Sequence, residues 1–417
     1  MKMPSLKIVM PLLAVVMLVW IFRAPLREQI SARATLANDA PNPEAVTDMI
    51  EQADDRSAAL LRTWNTGKII HREVAINELK RLFPGNLPLP PALQSMLLAA
   101  ALDPDMDVRE LALGALLARH DPALTAGAVA QLADADPQAR LLGVSYLKHA
   151  NPSAGVPLAV GLLDDPDLRV VGLSAKLLES WSHENFGLKL ADTVLGENKE
   201  TGLQEFSADG QAKTQAAVEK AKAWWQRHQS EYPAIQREIP AEANPAPRPV
   251  LAEDFQLRTL EGKQVRLSDY RGKVVLINFW TTWCTACVSE MPELIALQCE
   301  HADNLAILGV SLDAVPDEDG EVGGEGSGQK LDPNDPKASV PLLQKIRDKV
   351  IRTVKSRGIN YPILLDEHNE VGGRFNGGAL PTTVIVDAQG QVRRRFVGAR
   401  SLPVFEAMIA EARQPAQ

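Results

Sequence analysis

The stretch Lys273–Pro292, KVVLINFWTTWCTACVSEMP, decides how the C-terminal part of this 417-residue chain is read. Val274 to Trp280 is an uninterrupted apolar run that breaks at Thr281-Thr282, and apolar residues then recur at helical spacing from Cys284 through Met291, Leu294 and Ile295. A short apolar run giving way to helical periodicity is a buried strand feeding a helix, here with Cys284 and Cys287 on the helix's first turn. Side chains at i and i+3 share one face, and their Cα atoms stand roughly 5 to 6 Å apart, within reach of a disulfide. The pair can therefore open and close a bond with little backbone movement. Unpaired N–H groups and the macrodipole at a helix start favour an anion, which makes Cys284 the expected thiolate nucleophile. Cys287, one turn deeper, is the expected resolving thiol.

Other uses of two cysteines make different demands. A tetrahedral zinc site needs four ligands, and the nearest further candidates, Cys299 and His301, begin about 18 Å along a continuous helix. Covalent haem attachment would need His after the second cysteine, where Val288 stands. A purely structural bridge closing so short a loop constrains the unfolded chain weakly. A thiol peroxidase would carry Pro-x-x-x-Thr-x-x-Cys, and no proline lies between Lys273 and Cys284.

With these residues in view, the stretch resembles the thioredoxin-like family, in particular its extracytoplasmic, membrane-anchored thiol-disulfide oxidoreductases of the TlpA and ResA type. The resemblance rests on Asn278-Phe279-Trp280 ahead of the helix, Trp283 directly before Cys284, and Glu290-Met291-Pro292 after Cys287, as in that branch's WCxPCxxExP pattern. It spans about residues 250 to 414 and implies a thioredoxin-fold domain over 250–417, with a central mixed sheet flanked by helices. It further implies catalytic roles for Cys284, Cys287 and Trp283, with the redox-active Cys284–Cys287 disulfide in place of any other cofactor. Pro381, in Ala379-Leu380-Pro381-Thr382, takes the place of the fold's cis proline, and Leu380 that of the neighbour offering backbone hydrogen bonds to a bound peptide. Asn278 stands where thioredoxin itself has a buried aspartate, so the proton acceptor must be sought elsewhere. Glu290, three residues after Cys287, is the candidate. Ala286 departs from the family's usual proline, and the two residues between the cysteines tune thiolate stability, so the redox poise is left open. By resemblance the favoured activity is reduction of disulfides in exported proteins, with apocytochrome c, and hence cytochrome c maturation, among the candidate substrates and a membrane thiol as electron donor. An oxidase or isomerase would differ only in potential.

At the N-terminus an apolar run, Ile8 to Phe22, lies between Lys2 and Lys7 on one side and Arg23 and Arg27 on the other. Residues 1–27 read as a signal peptide or a retained signal anchor, with residues 6–22 crossing the membrane once Lys7 snorkels. The expected location is a single-pass anchor with the bulk of the chain in the periplasm or otherwise outside the cytoplasm; cleavage near Ala32-Arg33-Ala34 would make it secreted. A net charge of -9 argues against a nucleic-acid partner. With three cysteines, stability does not rest on disulfides, and an exported pair rests oxidised unless something reduces it. Cys299 reads as a small buried apolar residue.

Between residues 45 and 232 the chain is rich in Leu and Ala and repeats itself: Asp103-Pro104-Asp105 with Arg109, Asp136-Pro137 with Arg140, Asp165-Pro166-Asp167 with Arg169, and a looser copy near Arg72. Asp-Pro supplies a cap and a first helical residue, and units of about 30 residues that cannot bury their apolar faces alone stack into a solenoid. The region resembles HEAT-like repeats. Its functional reading is a concave surface for a protein partner, and the alternative for the whole chain is a repeat scaffold with an accessory redox domain. His120 and His149 read as helix-end residues, and Trp224, Trp225 and His228 as a cap on the open end of the array. Residues 233–249 form a proline-rich linker that leaves the two parts separable. Residues 314–339, with VPDEDGEVGGEGSG, read as a flexible acidic loop insertion too polar to pack.

Overall fold

The computed structural model describes residues 55–85, 89–189, 196–197, 204–205, 207–233, 250–317, 320–324, 327–332 and 335–414. The segment expected to anchor the chain and residues 234–249 of the linker lie outside these. Among the described residues no helix is long and apolar enough to cross a membrane.

The N-terminal half is helical. After a helix over 55–65 come α1 (Ile69–Leu82), α2 (Pro91–Ala100), α3 (Met106–Ala118), α4 (Ala123–Gln131), α5 (Pro137–Leu147), α6 (Pro152–Val160), α7 (Leu168–Ser182) and α8 (Ala208–His228). The repeated Asp-Pro turns cap every second helix. Asp105 accepts from Asp107 N at α3, Asp136 from Gln138 N at α5 and Asp167 from Arg169 N at α7, each cap contributing about 1 kcal/mol.

The repeated arginine reaches forward from one unit to the first aspartate of the next. Arg72 pairs with Asp103, Arg109 Nη1 donates to Asp134 Oδ2 at 2.7 Å, and Arg140 holds Asp165 with both Nε and Nη2 at 2.7 and 2.8 Å. Oδ1 of each aspartate accepts from the backbone N–H two residues on, at Asp105, Asp136 and Asp167; in Asp165 it is shared with Arg140 Nη2. This ladder sets the register between units, because a buried charge stripped of its partner costs about 3–5 kcal/mol. Arg169 turns back onto its own Asp167. Apolar packing does the rest. One core gathers Leu79, Leu97 and Leu113, and a second joins Leu147, Leu178 and Trp224. Within α8 the Trp224 ring stacks on His228 at 5.1 Å, and Trp224 is buried in the second core. His120 and His149 are exposed just after α3 and α5.

The C-terminal half is one sheet of β1 (Val250–Leu251), β2 (Gln256–Thr259), β3 (Gln264–Arg266), β4 (Val274–Trp280), β5 (Leu305–Ser311), β6 (Ile363–Leu365), β7 (Thr382–Val386) and β8 (Gln391–Val397), in spatial order β1-β8-β7-β4-β5-β6-β2-β3. β4, β5 and β6 run parallel, while β7 and β8 run antiparallel to their neighbours. All seven residues of β4 are buried, as its unbroken apolar run requires of a central strand. On one face of the sheet α9 (Thr285–His301) and α12 (Leu402–Ala412) bury Met291, Leu294 and Phe405, and on the other Phe279 packs with Phe375. α10 (Pro336–Arg357) and α11 (Glu370–Arg374) complete the curled mixed sheet of the thioredoxin fold.

The two halves are not independent of each other. Ile69 of α1 belongs to one core of the sheet, and Met106 and Ala135 pack against the other. A β-bulge at Arg393 shifts the register of β8. Beyond it, Arg394 reaches Asp134, and Arg395 donates to Asp105 Oδ1 at 2.9 Å and Asp107 Oδ2 at 2.7 Å. Arg395 is 1% exposed, so this interface excludes water. A proline-rich linker predicts separable parts; Arg394 and Arg395 of β8, paired with aspartates of the helical half, run against that expectation.

Two further expectations are corrected. Cys299 is exposed on α9, with Asn360 Nδ2 3.0 Å from its Sγ, because it lies off the helix face that Leu294 and Leu297 bury. The loop after β5 does pack: Val322 is fully buried with Ala314 and Ile346, and Gly323 N donates to Asp313 O at 2.9 Å. One apolar residue among many polar ones suffices to pin it. At Gly324, φ is +121°, and a Cβ there would stand 3.0 Å from Trp283 Cγ. Gly324→Ala is expected to cost about 1–3 kcal/mol and to shift the Trp283 emission, measured as a difference spectrum against a Trp283→Phe background. An unchanged spectrum would show that this contact does not hold in solution.

Candidate active site

β4 delivers the chain to a buried turn at Thr281, and α9 begins directly after Cys284. Cys284 is the N-cap, its Sγ accepting from Cys287 N at 3.1 Å. The sulfur therefore occupies the position where a helix start favours an anion. The two cysteines form a disulfide across a Cα separation of 5.3 Å. Cys284 is 8% and Cys287 2% exposed, while Thr285 and Ala286 between them are open to solvent. Trp283 is 46% exposed, an unusual position for so large an apolar ring.

Beneath the turn lies a carboxylate that the sequence reading missed. Asp313, just past the end of β5, accepts from Thr282 N at 3.1 Å through both oxygens, from the Thr282 hydroxyl, and from Ser311 Oγ at 2.9 Å. Burial raises its carboxyl above the usual range, against the lowering effect of these hydrogen bonds. Its role is to hold the backbone leading into Cys284.

Glu290 is 2% exposed and faces the interior, which rules out a solvated second-turn glutamate. Its Oε2 accepts from Asn278 Nδ2 at 3.1 Å and its Oε1 from Arg400 N at 2.7 Å. Asn278 spends its second N–H on Thr383 Oγ1 at 3.1 Å. Burial pushes Glu290 up to about 7; the Arg400 hydrogen bond and charge and the Asn278 amide pull the other way without cancelling it. A carboxyl titrating near neutrality, one turn from a buried thiol, is suited to exchanging protons with it. Burial and the charge of Glu290 also raise Tyr361.

The Leu380–Pro381 peptide is cis, as the resemblance implies for Pro381. Pro381 O accepts from Gly398 N at 2.8 Å, tying this loop to the segment that follows β8. Leu380 is half-buried against the same core that holds Cys284 and Cys287. Arg400 at the end of that segment grips Asp136 of the repeats, Nε to Oδ1 at 3.0 Å and Nη2 to Oδ2 at 2.9 Å. Asp136, Arg400 and Glu290 thus form a continuous buried path from a repeat cap to the carboxyl behind the disulfide. A basic residue far downstream and an aspartate already explained as a cap gave the sequence reading no signal for it.

The AhpC/TSA family pattern matches residues 250–395. The chain is 31% identical over 147 residues to the thioredoxin-like protein YneN of Bacillus subtilis, covering 35% of this chain and 69% of that one. It is 35% identical over 147 residues to the thiol-disulfide oxidoreductase ResA of Geobacillus kaustophilus, covering 35% and 67% respectively. Among solved structures, a thioredoxin-family thiol:disulfide interchange protein from Chlorobium tepidum aligns at 26% identity with a TM-score of 0.30, over 40% of this chain and 97% of that one. Seven residues before Cys284, where a thiol peroxidase pattern would place proline, stands Ile277. With its paired cysteines at the head of α9 and these relatives, the chain belongs to the thioredoxin-like thiol-disulfide oxidoreductases of the ResA type.

Proposed function

We propose that this oxidoreductase reduces disulfides of exported proteins, through Cys284 as nucleophile and Cys287 as resolving thiol. The observation that carries the reading is the Cys284 sulfur at a helix N-cap, bonded to a buried Cys287 one turn from a buried Glu290. The Cys284 thiolate attacks one sulfur of the substrate disulfide, forming a mixed disulfide and releasing a substrate thiolate. Glu290 takes the Cys287 proton, and the resulting thiolate attacks Cys284 Sγ, releasing the second substrate thiolate. Two electrons pass to the substrate and the Cys284–Cys287 bond reforms. A membrane thiol donor then restores the dithiol. Leu380, ahead of cis Pro381, offers its backbone to the substrate, and Trp283 covers the approach to Cys284.

The direction and the location follow the family resemblance and the apolar run over residues 6–22. A titration against glutathione reads the direction, and release by alkaline extraction would remove the anchor. Apocytochrome c is one candidate substrate among exported cysteine proteins. Cys287→Ser is expected to hold the substrate on Cys284 as a mixed disulfide that a reductant releases. Exported protein carrying no such adduct would overturn the assignment.

A further inference from the structure

A cleft of about 1320 Å³ separates the redox helix from the repeats, larger than the ~300–1,000 Å³ of small-molecule pockets. Thr285 and Ala286, the two residues between the cysteines, lie on one wall with Glu293 of α9. Glu110 of α3, Leu141 of α5 and Arg169 of α7 lie on the other, and Val397 to Ser401 form the floor beside the Pro381 loop. The cleft therefore begins beside the disulfide, at the two residues that its cysteines flank, while the cysteines themselves are not part of its lining. Its second wall is made by residues outside the thioredoxin-like part.

The charges in it are uneven. The helix starts at α3, α5 and α7 would attract anions, but Asp105, Asp136 and Asp167 already occupy them. Arg400 is held by Asp136 and Arg169 by Asp167. Asp107 is held by Arg395. Among the described residues, the lining charges left without a cationic partner are acidic: Glu110, exposed, and Glu293, which accepts from the neutral Leu402 N–H.

Resting on the reductase reading above, we infer that the repeats supply half of the substrate groove, and that its occupant is an extended polypeptide segment with lysine or arginine beside its disulfide. Apolar side chains at the half-buried Leu141 and Val404 pack the segment while Glu110 and Glu293 select its charge. The repeat array is thereby a specificity element of the oxidoreductase.

The test uses the full chain, reduced beforehand and freed of reductant, in single turnovers with two disulfide-cyclised peptides that differ only in carrying lysine or glutamate beside the cysteines. Neutral 2-hydroxyethyl disulfide is the reference substrate. The lysine peptide is expected to react about tenfold faster than the glutamate peptide at low salt, the preference shrinking as salt rises. Glu110→Lys is expected to lower the rate for the lysine peptide, relative to the reference, about tenfold, with Glu110→Gln between. Equal rates for the two peptides, or a ratio that Glu110→Lys leaves unmoved, would overturn the groove and leave the redox reading standing. A change of oligomeric state in Glu110→Lys without any peptide preference would assign the cleft to a second copy of the chain and also overturn it. Failure of the wild-type chain to reduce 2-hydroxyethyl disulfide would instead strike the redox reading.

Discussion

Glu290→Gln slows the resolving step, attack of Cys287 on a mixed disulfide at Cys284, by at least about a hundredfold at neutral pH. Glutamine keeps the size of the side chain and an acceptor for Arg400 N, so the fold around it survives, but it cannot take a proton. The pH profile carries the proof. Because Glu290 titrates near 7, the wild-type resolving rate rises as pH passes through that value and the carboxylate becomes available as a base. The reverse step, in which Cys287 regains a proton as the disulfide is reduced, falls over the same range. In Glu290→Gln both dependences on this group vanish, leaving only the titration of the thiols. Stopped-flow measurement of substrate release reads both directions. A profile unchanged in shape would deprive Glu290 of its role, whatever happened to the absolute rate.

Arg395→Ala is expected to destabilise the chain by about 3–5 kcal/mol at pH 8 in urea unfolding. The side chain is buried between Asp105 and Asp107, and it also donates to Phe375 O at 2.9 Å and Asn376 O at 2.6 Å. Burial raises Asp105 to about 7 even with Arg395 beside it, since Asp107, Asp103 and Glu73 add like charge. Asp134 shows the opposite balance: burial would raise it, but Arg109 and Arg394 together hold it down at about 2. Asp105 in the folded chain thus binds a proton more tightly than in the unfolded one. Its contribution is complete below the unfolded value near 3.8 and is lost as pH rises through about 7. Without Arg395 the folded value climbs further, so the gap between variant and wild type widens from pH 5.5 to pH 8. A gap under about 1 kcal/mol, or one that pH does not alter, would show that the interface is not held by this pair.

What the sequence showed plainly was chemistry written in adjacent residues. The strand at Val274 and the cysteines at i and i+3 follow from local periodicity and spacing, while Glu290 and the proline at 381 followed from the family resemblance. Asp-Pro caps with a trailing arginine were legible as a repeat, although the partner of each arginine was not, because it lies in the next unit. What escaped were pairings across great sequence distance. Arg394 and Arg395 meet aspartates 260 and 290 residues away, and Arg400 meets Asp136 across 264. Charged residues on a strand next to a surface helix look solvated until the surface that covers them is known. Asp313 escaped for a related reason, since a carboxylate at a strand end has no signature separating it from an exposed turn. The loop after β5 misled by composition, its single buried valine being outnumbered by glycines and acids.

The forward-reaching arginines also govern how such a chain could grow. Arg72, Arg109 and Arg140 each hand a cation to the following unit, so the array can lengthen between them only by whole increments; a partial duplication would strand a charge indoors. Increments next to Asp134 and Asp136 would pull those aspartates out of line with Arg394 and Arg400. Room for growth lies past Arg169, where the last guanidinium has folded home onto Asp167.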